Sequence, residues 1–441
     1  MKYNQKKKKE NIEIFLFIMV MAVFAAVLGV MSLGEKMQPV NQIRKISSGW
    51  YYYDNGKRTE VTLPDTIQAE EGEELILYND GITDLDAGKV VTTRGAQYDL
   101  KIWLGDRPIY EYQDTTFVRN TQMKSKLECA GEIPTDIQNE PLKLIYSNPH
   151  HGKYVLASVY IGTGSAVIAL HLQNSGIVIG IALCFLVLSI ISLLITVYLK
   201  YRQMPDTRFR DVALFLMICA VWLITDSSAI QTYSSHPDML CTISFYMFML
   251  FSVPMLHFAR KIGGLKKERI LDAGIAVFYL NAFIQGLLAY FGVFTFADML
   301  FVTHVLLITW VLIVAVLLWK EYRKKPDRSV QIILIAYMIL LFSGLLSLSL
   351  YWLFEISYYG AIFEFGILVF LVMIIADTVI SLVGKVRYRT EMQAYERLMK
   401  EDWMTGMQSR EPFENLLAEI PKTMNEHKDI LLVFMDIDYL R

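Results

Sequence analysis

Thiol chemistry is nearly excluded at the outset. Only four cysteines occur in 441 residues. Cys129 stands alone in a polar region, and Cys184, Cys219 and Cys241 lie in or beside apolar runs, so neither a disulfide framework nor a thiolate metal spacing is present. They read as small apolar packing residues. A surplus of positive charge is also missing: 42 Lys and Arg against 44 Asp and Glu leave a formal net charge of -2, which gives no reason to expect nucleic acid as a partner.

Apolar residues are what the chain has in abundance. They make up 54% of it, too much for a soluble protein of ordinary composition, and the length is too great for one domain. A basic start (residues 1–13, with Lys6 to Lys9) leads into an apolar run at 14–33, long enough to cross a bilayer. That run reads as a retained anchor or as a cleaved signal peptide ending near Ser32-Leu33-Gly34. Its length favours the anchor, and either reading exports the segment that starts at residue 35.

Residues 35–174 change character. Charges, turn sequences such as Asp54-Asn55-Gly56 and Asn79-Asp80-Gly81, and short runs of β-formers predict an extracytoplasmic β-rich domain of the sandwich or jelly-roll kind. Candidate strands fall at 49–53, 74–78, 98–104, 108–112, 142–146, 154–161 and 166–172. The aromatics Trp50, Tyr51, Tyr53, Trp103 and Tyr110 suit either the core of such a sandwich or a surface that stacks on a small ligand, with Trp50, Tyr53 and Trp103 the candidate ligand-binding residues. His150-His151 reads as part of a turn rather than a metal site.

Seven further apolar blocks, at 176–199, 211–230, 239–259, 270–291, 298–319, 330–353 and 361–383, predict a seven-helix transmembrane bundle over 176–383. The gaps between them alternate. Lys200, Arg202, Arg208 and Arg210 occupy one, Arg260, Lys261, Lys266, Lys267 and Arg269 another, and Lys320, Arg323, Lys324, Lys325 and Arg328 a third; the gaps at 234–238, 292–296 and 355–359 hold no Lys or Arg. Basic loops stay cytoplasmic, so both termini are expected inside the cytoplasmic membrane if the first span is retained. Asp226, His257, Asn281, Gln285, His304, Glu364 and Asp377 are the polar residues in or near the blocks and need a bundle interior, a cavity or a helix end. Beyond the last block, 384–400 has the composition of a short signalling helix.

The tail runs Asp402-Trp403-Met404-Thr405-Gly406-Met407-Gln408-Ser409-Arg410, then Phe413, then an apolar strand pattern ending Asp436-Ile437-Asp438-Tyr439-Leu440-Arg441. Alternation along a strand puts Asp436 and Asp438 on one side, where two carboxylates suit a hard divalent cation. The segment resembles the opening of a GGDEF (diguanylate cyclase) domain, with mild departures at Met404, Met407, Ser409 and Arg441. The resemblance implies Mg2+ on Asp436 and on the carbonyl of Ile437, and GTP phosphates against the main chain at Tyr439 and Leu440. Its glycine-glycine-acidic-glutamate-phenylalanine turn would fall beyond Arg441, so the incomplete α/β domain at 401–441 is expected to be inactive, while a full-length form would make cyclic di-GMP.

The whole arrangement resembles bacterial seven-transmembrane receptors with diverse intracellular signalling modules. That resemblance, carried by 49–56, Leu63-Pro64 and 102–110, implies a jelly-roll sensor for a carbohydrate-like or other small molecule, an embedding in membrane lipid and a homodimer. The expected function is a sensory receptor coupled to a diguanylate cyclase. The alternative is a polytopic transporter or channel with an exported accessory domain, weakened because Pro254 alone interrupts a span and no repeat relates the halves.

Overall fold

The computed structural model describes residues 42–400 apart from 71, 96–98, 112–127, 137–139, 148–152, 204–205 and 355–358, and residue 414. The expectations for 1–33, for His150 and His151, and for the 401–441 segment with Asp436, Ile437, Tyr439 and Leu440 lie outside the described residues.

The β-rich region runs from β1 (Ile43–Ile46) through β2 (Trp50–Asp54), β3 (Lys57–Val61), β4 (Asp65–Gln68), β5 (Leu75–Asn79), β6 (Val90–Arg94), β7 (Asp99–Leu104), β8 (Arg107–Glu111), β9 (Glu128–Glu132), β10 (Leu142–Ser147) and β11 (Lys153–Leu156) to β12 (Val159–Gly162). One antiparallel sheet has the order β1-β12-β6-β9 and another β3-β2-β5-β10-β7-β8, with β11 and β4 paired separately. The turns that sequence marked are where two of these strands end. Asn55 (φ 48°) and Gly56 (φ 79°) form the two-residue left-handed connection from β2 to β3. At the end of β5, the Asn79 carboxamide oxygen accepts from the Gly81 N–H at 2.8 Å, the side-chain turn that Asn favours.

Alternation then sorts the side chains. In β10 the odd and even positions read buried, half-buried, buried through Leu142–Ser147, and Leu142, Leu144 and Tyr146 join Trp50, Leu77, Leu100, Ile102 and Leu104 in one core with Val91, Val159 and Ile161 from the other sheet. The two sheets thus share a single apolar interior.

The predicted strand at 154–161 is two strands, β11 and β12, separated at Ala157 and Ser158. The predicted strand at 166–172 is a helix instead: α1 (Gly164–Tyr201) begins there and continues for 38 residues. Its opening turns bury Ala166, Val167, Ala169 and His171, and apolar residues that close together satisfy either period; burial against the sandwich on one side decides for the helix.

Further helices are α2 (Arg208–Asp226), α3 (Ser228–Thr232), α4 (Pro237–Leu250), α5 (Ser252–Ala259), α6 (Arg269–Tyr290), α7 (Phe296–Lys324), α8 (Arg328–Phe354) and α9 (Tyr359–Lys400). Among the described residues, six spans are long and apolar enough to cross a membrane: Gly164–Tyr201, Pro237–Ala259, Arg269–Tyr290, Asp298–Lys324, Arg328–Leu350 and Ile362–Tyr395. This is the composition of a multi-pass membrane protein. The expected second crossing differs. It splits at Ser227 into α2 and α3, and α2 carries Arg208, Arg210, Asp211 and Asp226 within its 19 residues. The third span breaks at Phe251, where α4 gives way to α5; Pro254 supplies no N–H to the turn before it.

Contacts fix which helix ends lie together. The Ser189 hydroxyl donates to the Ala213 carbonyl at 2.8 Å, and Ser175 meets Ser228 at 3.2 Å, so α1 and α2 run antiparallel and α3 returns to the sandwich end. At the far end, Lys261 donates to the Thr207 carbonyl at 3.0 Å and pairs with Asp211. Close by in sequence, the Gly264 N–H donates to Glu321 at 2.7 Å. Rings fill the interior between α2, α4, α8 and α9: Phe215 stacks on Phe251 at 5.9 Å and meets Phe370 edge-on at 5.7 Å, and Tyr337 meets Phe370 at 5.1 Å.

The chain divides into two compact units, Met1–Ala376 and Asp377–Arg441. In the second, α9 continues to Lys400, with Arg387 and Glu391 paired at 2.8 Å one helical turn apart.

Candidate functional site

Two groups of residues in the first unit stand out. One is the outer face of the six-stranded sheet. The pairing Tyr51↔Tyr78, Lys143↔Tyr78 and Lys143↔Trp103 sets Tyr51, Tyr78, Lys143 and Trp103 in a row across β2, β5, β10 and β7 on the face opposite the core. Tyr51 and Tyr78 stack at 5.5 Å, and Tyr53 stands edge-on to both at 5.9 and 5.8 Å. The Arg58 guanidinium lies 3.7 Å over the Tyr51 ring, and the Tyr51 hydroxyl donates to Asp80 at 3.2 Å. Burial, and then the bond to Asp80, hold the Tyr51 phenol above its usual range.

The predicted ligand-binding residues separate here. Tyr53 is 57% exposed at the edge of the tyrosine cluster. Trp103 is half-buried on the same face, two strands from Tyr78 or about 10 Å away. Its buried indole N–H has no partner among the described residues. Trp50 is fully buried, its indole N–H donates to the Ile46 carbonyl at 3.1 Å, and it belongs to the core. Tyr110 also packs against that core. Sequence reasoning missed Tyr78 and Arg58; the signal available was that β5 and β3 flank β2, which strand pairing alone reveals.

The second group lies where the sandwich meets the helices, and sequence reasoning missed it entirely. The Thr92 hydroxyl of β6 donates to the Cys129 carbonyl at 3.1 Å and sits 2.9 Å from Nε2 of His171 on α1. The other ring nitrogen, Nδ1, lies 3.1 Å from the Tyr233 hydroxyl. Beside it, the Glu128 N–H of β9 donates to the Thr232 hydroxyl at 2.9 Å, and the Ser228 hydroxyl donates to the Glu128 carboxylate at 3.5 Å. Ser175 of α1 joins in, 3.2 Å from Ser228 and accepting from the Ala229 N–H at 3.3 Å. His171 is 1% exposed, Glu128 9% and Ser175 5%. Burial raises the Glu128 carboxyl above its usual value against the opposing pull of Arg94. Polar groups buried together in this number hold two surfaces in one register, because parting them strands donors and acceptors.

Polar residues expected inside the helices find partners nearby. Gln285 donates to Asn281 at 2.9 Å and to the Thr303 hydroxyl at 2.9 Å, tying α6 to α7. Asp226 accepts from Ser244 at 3.2 Å, and His304 packs edge-on to Phe248 at 5.5 Å. His257 and Glu364 are half-buried and Asp377 is buried. Among the described residues, no group of three His, Cys, Asp or Glu side chains is placed to hold a metal ion. No family model matches the chain. No curated protein matches it either.

Proposed function

We propose that this chain is a transmembrane sensory receptor whose exported β domain reports an outside small molecule to the cytoplasm through a seven-helix bundle. The observation that carries the reading is the buried junction of Thr92, Glu128, His171, Ser175 and Ser228, edged by the exposed Tyr233, which joins the sandwich to α1 and α3 by hydrogen bonds rather than by a linker. A domain so seated transmits a change in its own packing to the helices it touches. A ligand shifts that balance only by binding one arrangement more tightly than the other.

The proposed binding face is the tyrosine cluster with Trp103. The exposed Tyr53 ring beside the half-buried Tyr78 and Trp103, edged by Arg58, Asp80 and Lys143, suits a carbohydrate-like molecule, whose apolar ring face stacks while its hydroxyls bond to the polar rim. In this reading the sandwich is a jelly roll lying outside. The loops rich in Lys and Arg, at the end of the helices away from the sandwich, lie in the cytoplasm, as translocation of basic loops is disfavoured. The helix past Val383 passes the signal on in a homodimer. The output is the diguanylate cyclase module that the 401–441 segment resembles, which when complete takes GTP and Mg2+ to cyclic di-GMP.

The test is thermal unfolding of the full chain in lipid nanodiscs with a panel of mono- and oligosaccharides. A saturable rise in Tm that Tyr53→Ala and Tyr78→Ala both abolish supports the reading. No shift with any of them, together with solute uptake by the chain in proteoliposomes, supports the transporter or channel instead.

A further inference from the structure

Glu128 sits in an unusual place for a carboxylate. It begins β9, is 9% exposed, and lies at the seam between the sandwich and the helices. Among the described residues its carboxylate has one hydrogen-bond partner, the Ser228 hydroxyl at the long distance of 3.5 Å. Arg94 is its pairing partner across β6, yet that residue is exposed and makes no ion pair with it among the described residues. From α1 the facing groups are His171 and Ser175; from α3 and its end they are Ser228, Thr232 and Tyr233; from β6 it faces Thr92 and Arg94. Arg94 is the fixed charge in that set. A buried carboxylate served by one long bond costs free energy that a neutral acid does not.

We propose that Glu128 is a proton-input site: taking up a proton at its carboxyl tightens the seat of the sandwich on α1 and α3, so that acid on the sandwich side clamps the two together. The neutral acid supplies a donor that the ionised form lacks. It can donate to Ser228, which then donates to Ser175, reversing the direction of the hydroxyl chain without moving a heavy atom. The proton comes from the surrounding water and no bond other than O–H forms or breaks.

Burial sets the sign. The seated state holds the Glu128 proton more tightly than the parted state, in which the group has its ordinary value of 4.5. Seating is therefore strongest below that value and weakens as pH rises from there through the raised value of the seated state. Arg94 opposes the shift, so removing its charge moves the transition to higher pH.

The experiment is amide hydrogen exchange on the full chain in nanodiscs, without ligand, at pH 5 and pH 7.5, corrected for the intrinsic pH dependence of exchange. The peptides read are those covering Ser228–Thr232 and Glu128–Glu132. The wild type is expected to be about ten-fold better protected at pH 5, a difference of about 1.4 kcal/mol in seating. Glu128→Gln carries the neutral shape permanently and should lose the gain, being no better protected at pH 5 than at pH 7.5, while Glu132→Gln on the exposed end of the same strand should behave as wild type. Arg94→Gln, expected to move the midpoint upward, gives a second reading should Glu128→Gln fail to insert. Wild-type pH dependence surviving in Glu128→Gln, no pH dependence in the wild type, or no movement of the midpoint in Arg94→Gln overturns the proposal. None of these outcomes depends on whether a sugar binds.

Discussion

Thr92 and His171 stand 79 positions apart in the chain, one in a strand of the sandwich and the other two turns into the first long helix, and their side chains meet at 2.9 Å. The contact is buried on both sides, Thr92 and His171 each being 1% exposed. It makes the helix start, which sequence periodicity assigns to a strand, the seat of the whole β domain.

Breaking that contact from either side should cost stability in a way that shows the two residues act together. Thr92→Val and His171→Phe each lower the Tm, and the double variant loses about 1 kcal/mol less than the sum, the coupling of one buried hydrogen bond. Additive losses in thermal unfolding would show that the two act separately.

The tyrosine face and the core beneath it should separate by mutation. Trp50→Ala removes a fully buried ring and is expected to cost about 3–5 kcal/mol. Tyr53→Ala, on the outer face, should leave the unfolding free energy within about 0.5 kcal/mol of wild type while removing any sugar-induced Tm shift. A Tyr53 variant that unfolds as readily as the Trp50 variant would deny it a surface role.

Much of this organisation is legible in sequence. Asn55-Gly56 and Asn79-Asp80-Gly81 mark turns because their side chains and permitted backbone angles are local properties. The long apolar runs mark helices because a crossing needs length and composition only. The junction is not legible, since His171 lies in a stretch of Ala, Val, Ile and Leu that fits either period, and nothing in the sequence tells Glu128 that it will be buried against Ser228. The tyrosine face is half legible. Alternation puts Trp50 and Tyr53 on opposite faces, but which face is the core depends on the second sheet. The seven apolar blocks likewise conceal that the helix over the second starts back at Arg208, carries four charges and ends early, at Asp226.

Cys129 offers a probe of the sandwich's integrity. Burial pushes its thiol up to about 12, against weaker opposing bonds from Tyr110 and Gly95. At pH 8 it should therefore resist alkylation in the native protein and react on unfolding, with mass spectrometry of the labelled chain as readout. Rapid native labelling at Cys129 would contradict its burial at 3% exposure.

At the opposite end of the helices, Asp211 is 2% exposed and pairs with Lys261. Lys261→Met should cost about 1–3 kcal/mol by leaving a buried carboxylate poorly matched, and Asp211→Asn in the same chain should recover part of the loss. Equal Tm values for wild type and Lys261→Met would show the pair to be idle.

Between the helices, Gln285→Leu removes donors to Asn281 and Thr303 and should lower stability by about 1 kcal/mol in nanodiscs.

Central to the receptor reading is a chain that threads the membrane with its sandwich on one side and its basic loops on the other. The direct measurement is labelling of single introduced cysteines by an impermeant maleimide in intact cells, in Asn55→Cys at the β2–β3 turn and in Lys325→Cys after α7. The predicted result is labelling of Asn55→Cys in intact cells and of Lys325→Cys only after permeabilisation. Labelling of Lys325→Cys in intact cells, or protection of Asn55→Cys in them, would contradict that threading.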